Sequence, residues 1–292
     1  MTPRDTILAI VSATLFGLAF IAIKIGVRET SPLILTALRF LFTAFPAVLL
    51  IKPPQASFGL TTLYGLSIGV GQFSLLFLAI GLGMPVGLAS LVIQLQVFIT
   101  VFLAWAWLGE RPRPAQLIGA AIALVGILAI GSERLHGASP GPFLLVIGAA
   151  FFWGLGNLIG KLAGRIDMLA FVVWAALAAP APLILLSRIF EGGAPISALG
   201  HPSLALALSV AMLAYGATVG AYGLWAGLLA RHSAAAVAPF ALLIPVVGMI
   251  SGALVFHEPL SAIELTGAAL VMAGLVFNIF GDRFVGRRER AA

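Results

Sequence analysis

Residues 109–126 read GERPRPAQLIGAAIALVG, and residues 257–274 read HEPLSAIELTGAALVMAG. Glu110 and Glu258, Leu117 and Leu265, Gly119 and Gly267, and Gly126 and Gly274 fall in register at one constant offset. A second match joins Gly17 and Lys24 near the start of the chain to Gly154 and Lys161 near its middle. Self-similarity at a fixed spacing marks an internal duplication. What each copy contains follows from the apolar runs around these motifs. A membrane-spanning helix needs about 20 mostly apolar residues to cross roughly 30 Å of hydrocarbon. Ten stretches qualify, at approximately 5–27, 33–51, 61–81, 85–108, 115–132, 142–163, 168–187, 204–229, 233–256 and 262–281. They are continuously apolar rather than alternating, which favours helices over barrel strands. Each copy therefore holds five spans. An odd number leaves the chain on the other face of the bilayer, so the second copy enters from the opposite side. The reading is an all-α membrane protein with ten transmembrane helices in two inverted five-helix repeats. The first repeat covers 5–132 and the second 142–281, followed by a basic tail at 282–292.

Composition agrees with this. Of 292 residues 61% are hydrophobic and only 9% are Asp, Glu, Lys or Arg. Mean hydropathy is +1.15. Soluble domains average about a quarter charged residues, and so few charges cannot cover a water-facing surface. The same apolar content excludes disorder. The net charge of +6 is spread thinly, with no basic stripe, which excludes a nucleic-acid partner. There are no cysteines, hence no disulfide framework and no Cys-ligated metal. The first apolar run begins at Thr6 and is long enough to span, so it reads as a helix that stays rather than a cleaved leader.

Orientation follows from the basic residues, which gather on the cytoplasmic side. With ten spans both termini share a side. That side collects Arg4, Lys52, Arg111, Arg113, Lys161, Arg165, Arg231 and the tail residues Arg283, Arg287, Arg288 and Arg290. The other side holds Arg28, Arg134 and Arg188, with Lys24 near its boundary. Both termini are expected in the cytoplasm, with the tail anchoring the last helix beside anionic headgroups. Glu110 and Glu258 then stand at opposite faces, at helix ends where capping or pairing is expected.

In each copy the fourth helix ends in a Glu motif, Leu108-Gly109-Glu110-Arg111 and Phe256-His257-Glu258-Pro259, and the fifth carries Gly-Ala-Ala. In these features, over essentially its whole length, the chain resembles the EamA family of the drug/metabolite transporter superfamily. More specifically, the stretch from Gly71-Gln72-Phe73 through Gly83-Met84-Pro85-Val86-Gly87-Leu88-Ala89-Ser90 to Gln94 looks like the cysteine/O-acetylserine exporter branch, as does Val237–Gly248. The resemblance implies an inner-membrane exporter of small amino acids or related metabolites. Neighbouring branches, which export threonine, homoserine, aromatic amino acids or drugs, are the alternatives. No cofactor is implied, and the partners are a small-molecule substrate and the lipid bilayer.

Polar side chains are costly in lipid and usually face the protein interior. The cavity candidates are therefore few. Trp153, Asn157 and Lys161 share one helix face, a pattern repeated as Phe16, Phe20 and Lys24. An aromatic ring and an amide there could line a cavity; packing for Trp153 and snorkelling for both lysines are the plainer readings. Tyr215, Thr218 and Tyr222 form a polar-tipped stripe among Gly216, Gly220 and Gly223, suited either to a cargo amine or carboxylate or to bonding between helices. Ser90 and Gln94 share a face in the fourth span, Gln96 points elsewhere, and Gln72 lies in the third. Pro239 and Pro245 lie inside the ninth span, where a freed carbonyl allows a hinge or a fixed bend. Arg39 is the least comfortable charge, well inside the second span. It reads as snorkelling, pairing with a loop carboxylate or bonding to carbonyls, with attraction of a cargo carboxylate as the functional alternative.

All ten acidic residues fall near helix ends or in loops, as do His136, His201, His232 and His257. A proton-driven pump usually carries a buried relay. The expectation is thus a facilitator working by alternating access, with antiport through a peripheral acid still open. No nucleotide-binding Gly-rich loop occurs. An intramembrane hydrolase or metal enzyme would need a Ser–His, paired-Asp or His cluster at depth. A scaffold or receptor would carry longer loops or a soluble domain.

Overall fold

The structure is a computed structural model that describes residues 1–137, 140–164, 166–192, 200, 203–232 and 237–281. Arg165, His201 and the tail 282–292 lie outside the described residues, as do the side chains of Arg134 and His136. Among the described residues ten helices are long and apolar enough to cross a membrane. They are α1 Pro3–Glu29, α2 Pro32–Leu50, α3 Phe58–Gly81, α4 Val86–Leu108, α5 Pro114–Glu133, α6 Gly141–Leu162, α7 Met168–Phe190, α8 Leu204–Leu228, α9 Pro239–Phe256 and α10 Ala262–Phe280. No strand occurs among the described residues. Helices satisfy every backbone group within the segment, which hydrocarbon demands.

Short polar signals start and stop these helices. Ser57, Ser203 and Ser261 each cap the amide three residues on, and Ser261 and Glu264 form a reciprocal capping box. Asp167 caps α7 through the amides of Leu169 and Ala170. α4 ends on Gly109 and α9 on His257, both left-handed, with φ of 68° and 52°. These are equivalent positions of the duplicated motif. Glycine adopts that conformation freely, whereas His257 holds it against its own Cβ.

The duplication is visible in the backbone irregularities too. Each third helix contains a π-helical segment, Leu66–Phe73 in α3 and Met212–Ala221 in α8. Each fourth helix contains a 3₁₀ segment, Ile93–Leu95 in α4 and Ala238–Leu242 in α9. Each second helix is interrupted before a proline, at Pro46 and at Pro180.

The inversion is read directly from α5 and α10. A Cβ added at Gly119 would stand 2.6 Å from the carbonyl oxygen of Gly274, and one at Gly126 would stand 2.6 Å from that of Gly267. The backbones touch, and equivalent residues are cross-paired. Parallel copies would set Gly119 beside Gly267. Here the first glycine of each motif meets the second of the other, so the two helices run antiparallel about a pseudo-two-fold axis between them. Small residues at this crossing permit the close approach that gives van der Waals packing in lipid, where no hydrophobic drive between helices exists.

Two large apolar clusters and a small one around Ala9, Leu228 and Val237 fill the interior. One of the large clusters, around Phe77, Leu88, Leu91 and Leu213, joins helices of both halves. The other, around Phe40, Tyr64, Ile68, Phe171 and Leu183, joins α2 and α3 to α7. Large side chains such as Phe58, Trp107, Leu50 and Leu254 are exposed, as suits surfaces that face lipid.

Candidate functional site

Where α2, α3, α7 and α8 meet, Arg39 lies inside the protein with 3% exposure. It does not snorkel. Its Nη2 donates to Thr218 Oγ1 at 3.1 Å, and its guanidinium lies over the ring of Phe73 with Cζ 3.7 Å from the centroid. Its Nε is buried without a partner. No carboxylate of the described residues pairs with it. Thr218 reaches this position through the π-helical segment of α8: its hydroxyl donates to the carbonyl of Leu213, five residues back, at 2.8 Å. Arg39, Tyr64, Phe73, Val172, Thr218 and Tyr222 line a narrow void between the halves. The void has room for about one water molecule. The helices around it must part before anything of amino-acid size can enter.

The sequence candidates scatter relative to this centre. Thr218 and Tyr222 line the void with Arg39, and Tyr222 packs edge-on against Phe16 of α1 at 5.0 Å between ring centroids. Tyr215, placed by α-helical spacing on the same stripe, is 42% exposed and donates to the carbonyl of Phe45 at 3.3 Å. The π-helical bonding of 212–221 adds a residue to the turn and takes Tyr215 out of register. Gln72 is buried one residue before Phe73, with its Oε1 unpartnered. Gln94 is buried in the 3₁₀ segment of α4. Ser90 sits in the α4–α9 contact: it donates to the carbonyl of Gly87 at 2.7 Å and lies against Gly248, whose missing side chain makes its space. Trp153 is half-buried between the two large apolar clusters.

Asn157 bonds across to α4, donating to Gln96 Oε1 at 2.7 Å and Thr100 Oγ1 at 3.0 Å. So Gln96, read from sequence as pointing elsewhere, is the partner. Asn157→Leu is expected to leave that amide oxygen unpaired and to lower stability by about 1–3 kcal/mol, read as a lower denaturation midpoint of purified protein. Pro239 stands in the opening 3₁₀ turn of α9 and Pro245 in the first turn of the α-helix Leu243–Phe256. The break in this span is a 3₁₀-to-α transition near its start rather than a mid-helix kink.

Two equivalent ion pairs stand at helix ends near opposite faces. Lys24 of α1 forms an ion pair with Glu258 at the end of α9, and Lys161 of α6 forms one with Glu110 at the end of α4. Lys24 and Lys161 are equivalent residues, as are Glu258 and Glu110. Each bridge therefore joins the first helix of one half to the fourth of the other. Neither lysine snorkels freely, contrary to the plainer reading of the sequence. The first bridge lies on the face away from the start of α1, the second on the face where α1 begins. They are not equally tight. The Lys24 and Glu258 side chains are 20% and 8% exposed, against 49% and 50% for Lys161 and Glu110. Glu258 also accepts the amides of Val86 and Gly87 at 3.0 and 3.3 Å, capping α4. Lys24 and Arg28 both lie over the Phe256 ring. Among the described residues no group of three His, Asp or Glu could hold a metal ion.

Two inverted five-span halves with equivalent ion pairs joining them near opposite faces are an arrangement that recurs in secondary transporters. The sequence profile of the EamA-like transporter family matches residues 5–132 and 141–280, and the chain belongs to that family. It is 41% identical over 290 residues to a protein of Salmonella typhimurium named "Probable amino-acid metabolite efflux pump", covering 97% of each chain. A protein of the same name from Escherichia coli strain K12 is 40% identical, again over 97% of each. A transporter of Bacillus subtilis named YoaV is 26% identical over 94% of this chain and 96% of its own. One solved crystal structure, 21% identical, superposes with a TM-score of 0.64 over 95% of this chain and 96% of its own, and shares the fold. The chain is a multi-pass membrane protein of a transporter family.

Proposed function

We propose that this protein exports small amino acids and related metabolites, of the cysteine and O-acetylserine kind, across the inner membrane by alternating access. The observation that carries the reading is the pair of crossed ion bridges, Lys24–Glu258 and Lys161–Glu110, set by the duplication at opposite mouths of one path. Rocking one half against the other opens one mouth as it closes the other, because each bridge spans both halves. The relatives named as amino-acid metabolite efflux pumps support the cargo class. The basic residues favour both termini in the cytoplasm. The tight bridge then lies at the periplasmic face and the exposed one at the cytoplasmic face, and with both formed the path is shut at each end.

Cargo runs down its own gradient in this reading. The described carboxylates cap helices or pair near helix ends, which leaves no acid at depth to carry a proton. Proteoliposomes containing the purified protein are expected to pass labelled cysteine or O-acetylserine at a rate unchanged by a pH gradient. Absence of flux with any amino acid or amino-acid derivative in folded protein overturns the proposal. Flux only with a pH gradient overturns the facilitator part alone.

A further inference from the structure

We propose that Arg39 is an anion-binding group on the transport path and takes its cargo by the carboxylate. The cargo class is small monocarboxylates and amino acids that carry no charge beyond the carboxylate and, in an amino acid, its α-ammonium. That the anion is transported rests on the export reading above; that it binds does not.

The argument starts from what a buried guanidinium needs. Taken out of water, an ion loses several kcal/mol of hydration unless an opposite charge and hydrogen bonds replace it. Structural arginines in protein interiors accordingly meet a carboxylate or several carbonyls. Arg39 meets neither. Its recorded hydrogen bond goes to a neutral hydroxyl, that of Thr218, at 3.1 Å, and its Nε is buried with no partner. The face of Phe73 offsets part of the charge, 3.7 Å from the guanidinium carbon, and holds the planar fork in one orientation. A fork held flat, desolvated and short of an acceptor is preorganised for one ligand geometry: two parallel N–H···O bonds to a planar carboxylate.

The surroundings fix the rest of the cargo. Arg39 and Thr218 border a void whose other walls are aromatic and aliphatic, including Tyr64, Ile68 and Val172. No carboxylate of the described residues pairs with Arg39, so the site carries uncompensated positive charge. A cargo with a second cationic group finds no acid there, and a cargo with no anion leaves the guanidinium unpaired. The void is too narrow for such a cargo as it stands. Thr218 and Phe73 both belong to π-helical segments, which sit at equivalent places in α3 and α8. Arg39 on α2 is thus clasped by the same irregular element from each half, and relative motion of the halves widens or closes the clasp.

The experiment compares acid with ester. In proteoliposomes holding the full chain, unlabelled O-acetylserine is expected to compete with labelled cysteine at about 30-fold lower concentration than its methyl ester does. This arm uses the native chain and needs no variant. In Arg39→Gln the preference for acid over ester is expected to vanish, while Arg39→Lys, which keeps charge without the fork, retains a reduced preference. An Arg39→Gln protein that still prefers the acid as strongly as the native chain overturns the proposal. Should that variant not fold, Thr218→Val takes its place, with acid weakened about 5-fold and ester unchanged; equal effects on both count against the site. A second readout separates this proposal from the export reading. Acetate and O-acetylserine should raise the denaturation midpoint of the native chain in detergent and not that of Arg39→Gln. If they do and no flux occurs, export is wrong and the anion site stands. If flux occurs and neither the midpoints nor the acid preference depend on Arg39, the anion site is wrong and export stands.

Discussion

Gly126→Leu is expected to yield little or no folded protein. The position lies where α5 crosses α10, and even a Cβ there would stand 2.6 Å from the Gly267 carbonyl oxygen and 2.9 Å from the Val271 nitrogen. Both obstacles are backbone, so neither can rotate away. Adding methylenes to a packed core usually costs about 1–3 kcal/mol, and here no side-chain movement relieves the strain, so about 3 kcal/mol or more is expected. The measurement is recovery of monodisperse protein in detergent and its thermal midpoint. Gly227→Ala in α8 is the control: nothing lies within 4 Å of the added Cβ, and the variant should behave as the native chain. If Gly126→Leu is as stable as Gly227→Ala, the two halves do not meet as described.

The second large effect distinguishes the two ion bridges. Glu258→Ala removes one partner of a mostly buried pair and strands the Lys24 ammonium together with the amides of Val86 and Gly87. Leaving a buried charge unpaired costs about 3–5 kcal/mol. Glu110→Ala removes the equivalent residue, but there both side chains are about half exposed and water takes over, so the cost is at most about 1 kcal/mol. Equivalent residues of a duplicated motif should therefore differ severalfold in the stability lost on truncation, measured by denaturation of the purified proteins. Equal losses would mean that the two mouths are equally closed.

Much of the architecture could be read before any coordinates. The match of Gly119 to Gly267 and Gly126 to Gly274, with five spans per copy, implies two inverted halves, and those glycines are the ones that cross-pair. The pattern is legible because apolar length and small-residue spacing are set by the bilayer and by helix contact, both local constraints. The matched lysines and glutamates were legible as pairs of equivalents, yet not as partners of each other. Sequence spacing does not tell which helix end stands opposite which.

The centre was the least legible part. Tyr215, Thr218 and Tyr222 look like one stripe only if α8 is a regular α-helix, and the π-helical bonding of 212–221 separates Tyr215 from the other two. Ser90 shares a face with Gln94, but that face is met by Gly248, a contact between distant segments. Along the sequence Arg39 reads first as a structural charge, because a charged residue in a span ordinarily reaches for the surface or a loop partner. Its own helix offered a hint in the absence of any acid within a turn of it. What holds it inside, Thr218 and Phe73, comes from other helices and cannot be seen along α2.

Opposed movement of the two mouths is the central claim, and spin-label distances test it most directly. The chain has no cysteines, so introduced pairs label cleanly. Ile25 and Pro259 flank the tight bridge, and the equivalent Leu162 and Arg111 flank the exposed one. With pairs of labels at these positions in proteoliposomes, adding O-acetylserine should lengthen one distance distribution and shorten the other. Distances that both stay fixed, or that change in the same sense, would contradict a carrier in which each half alternately opens one face.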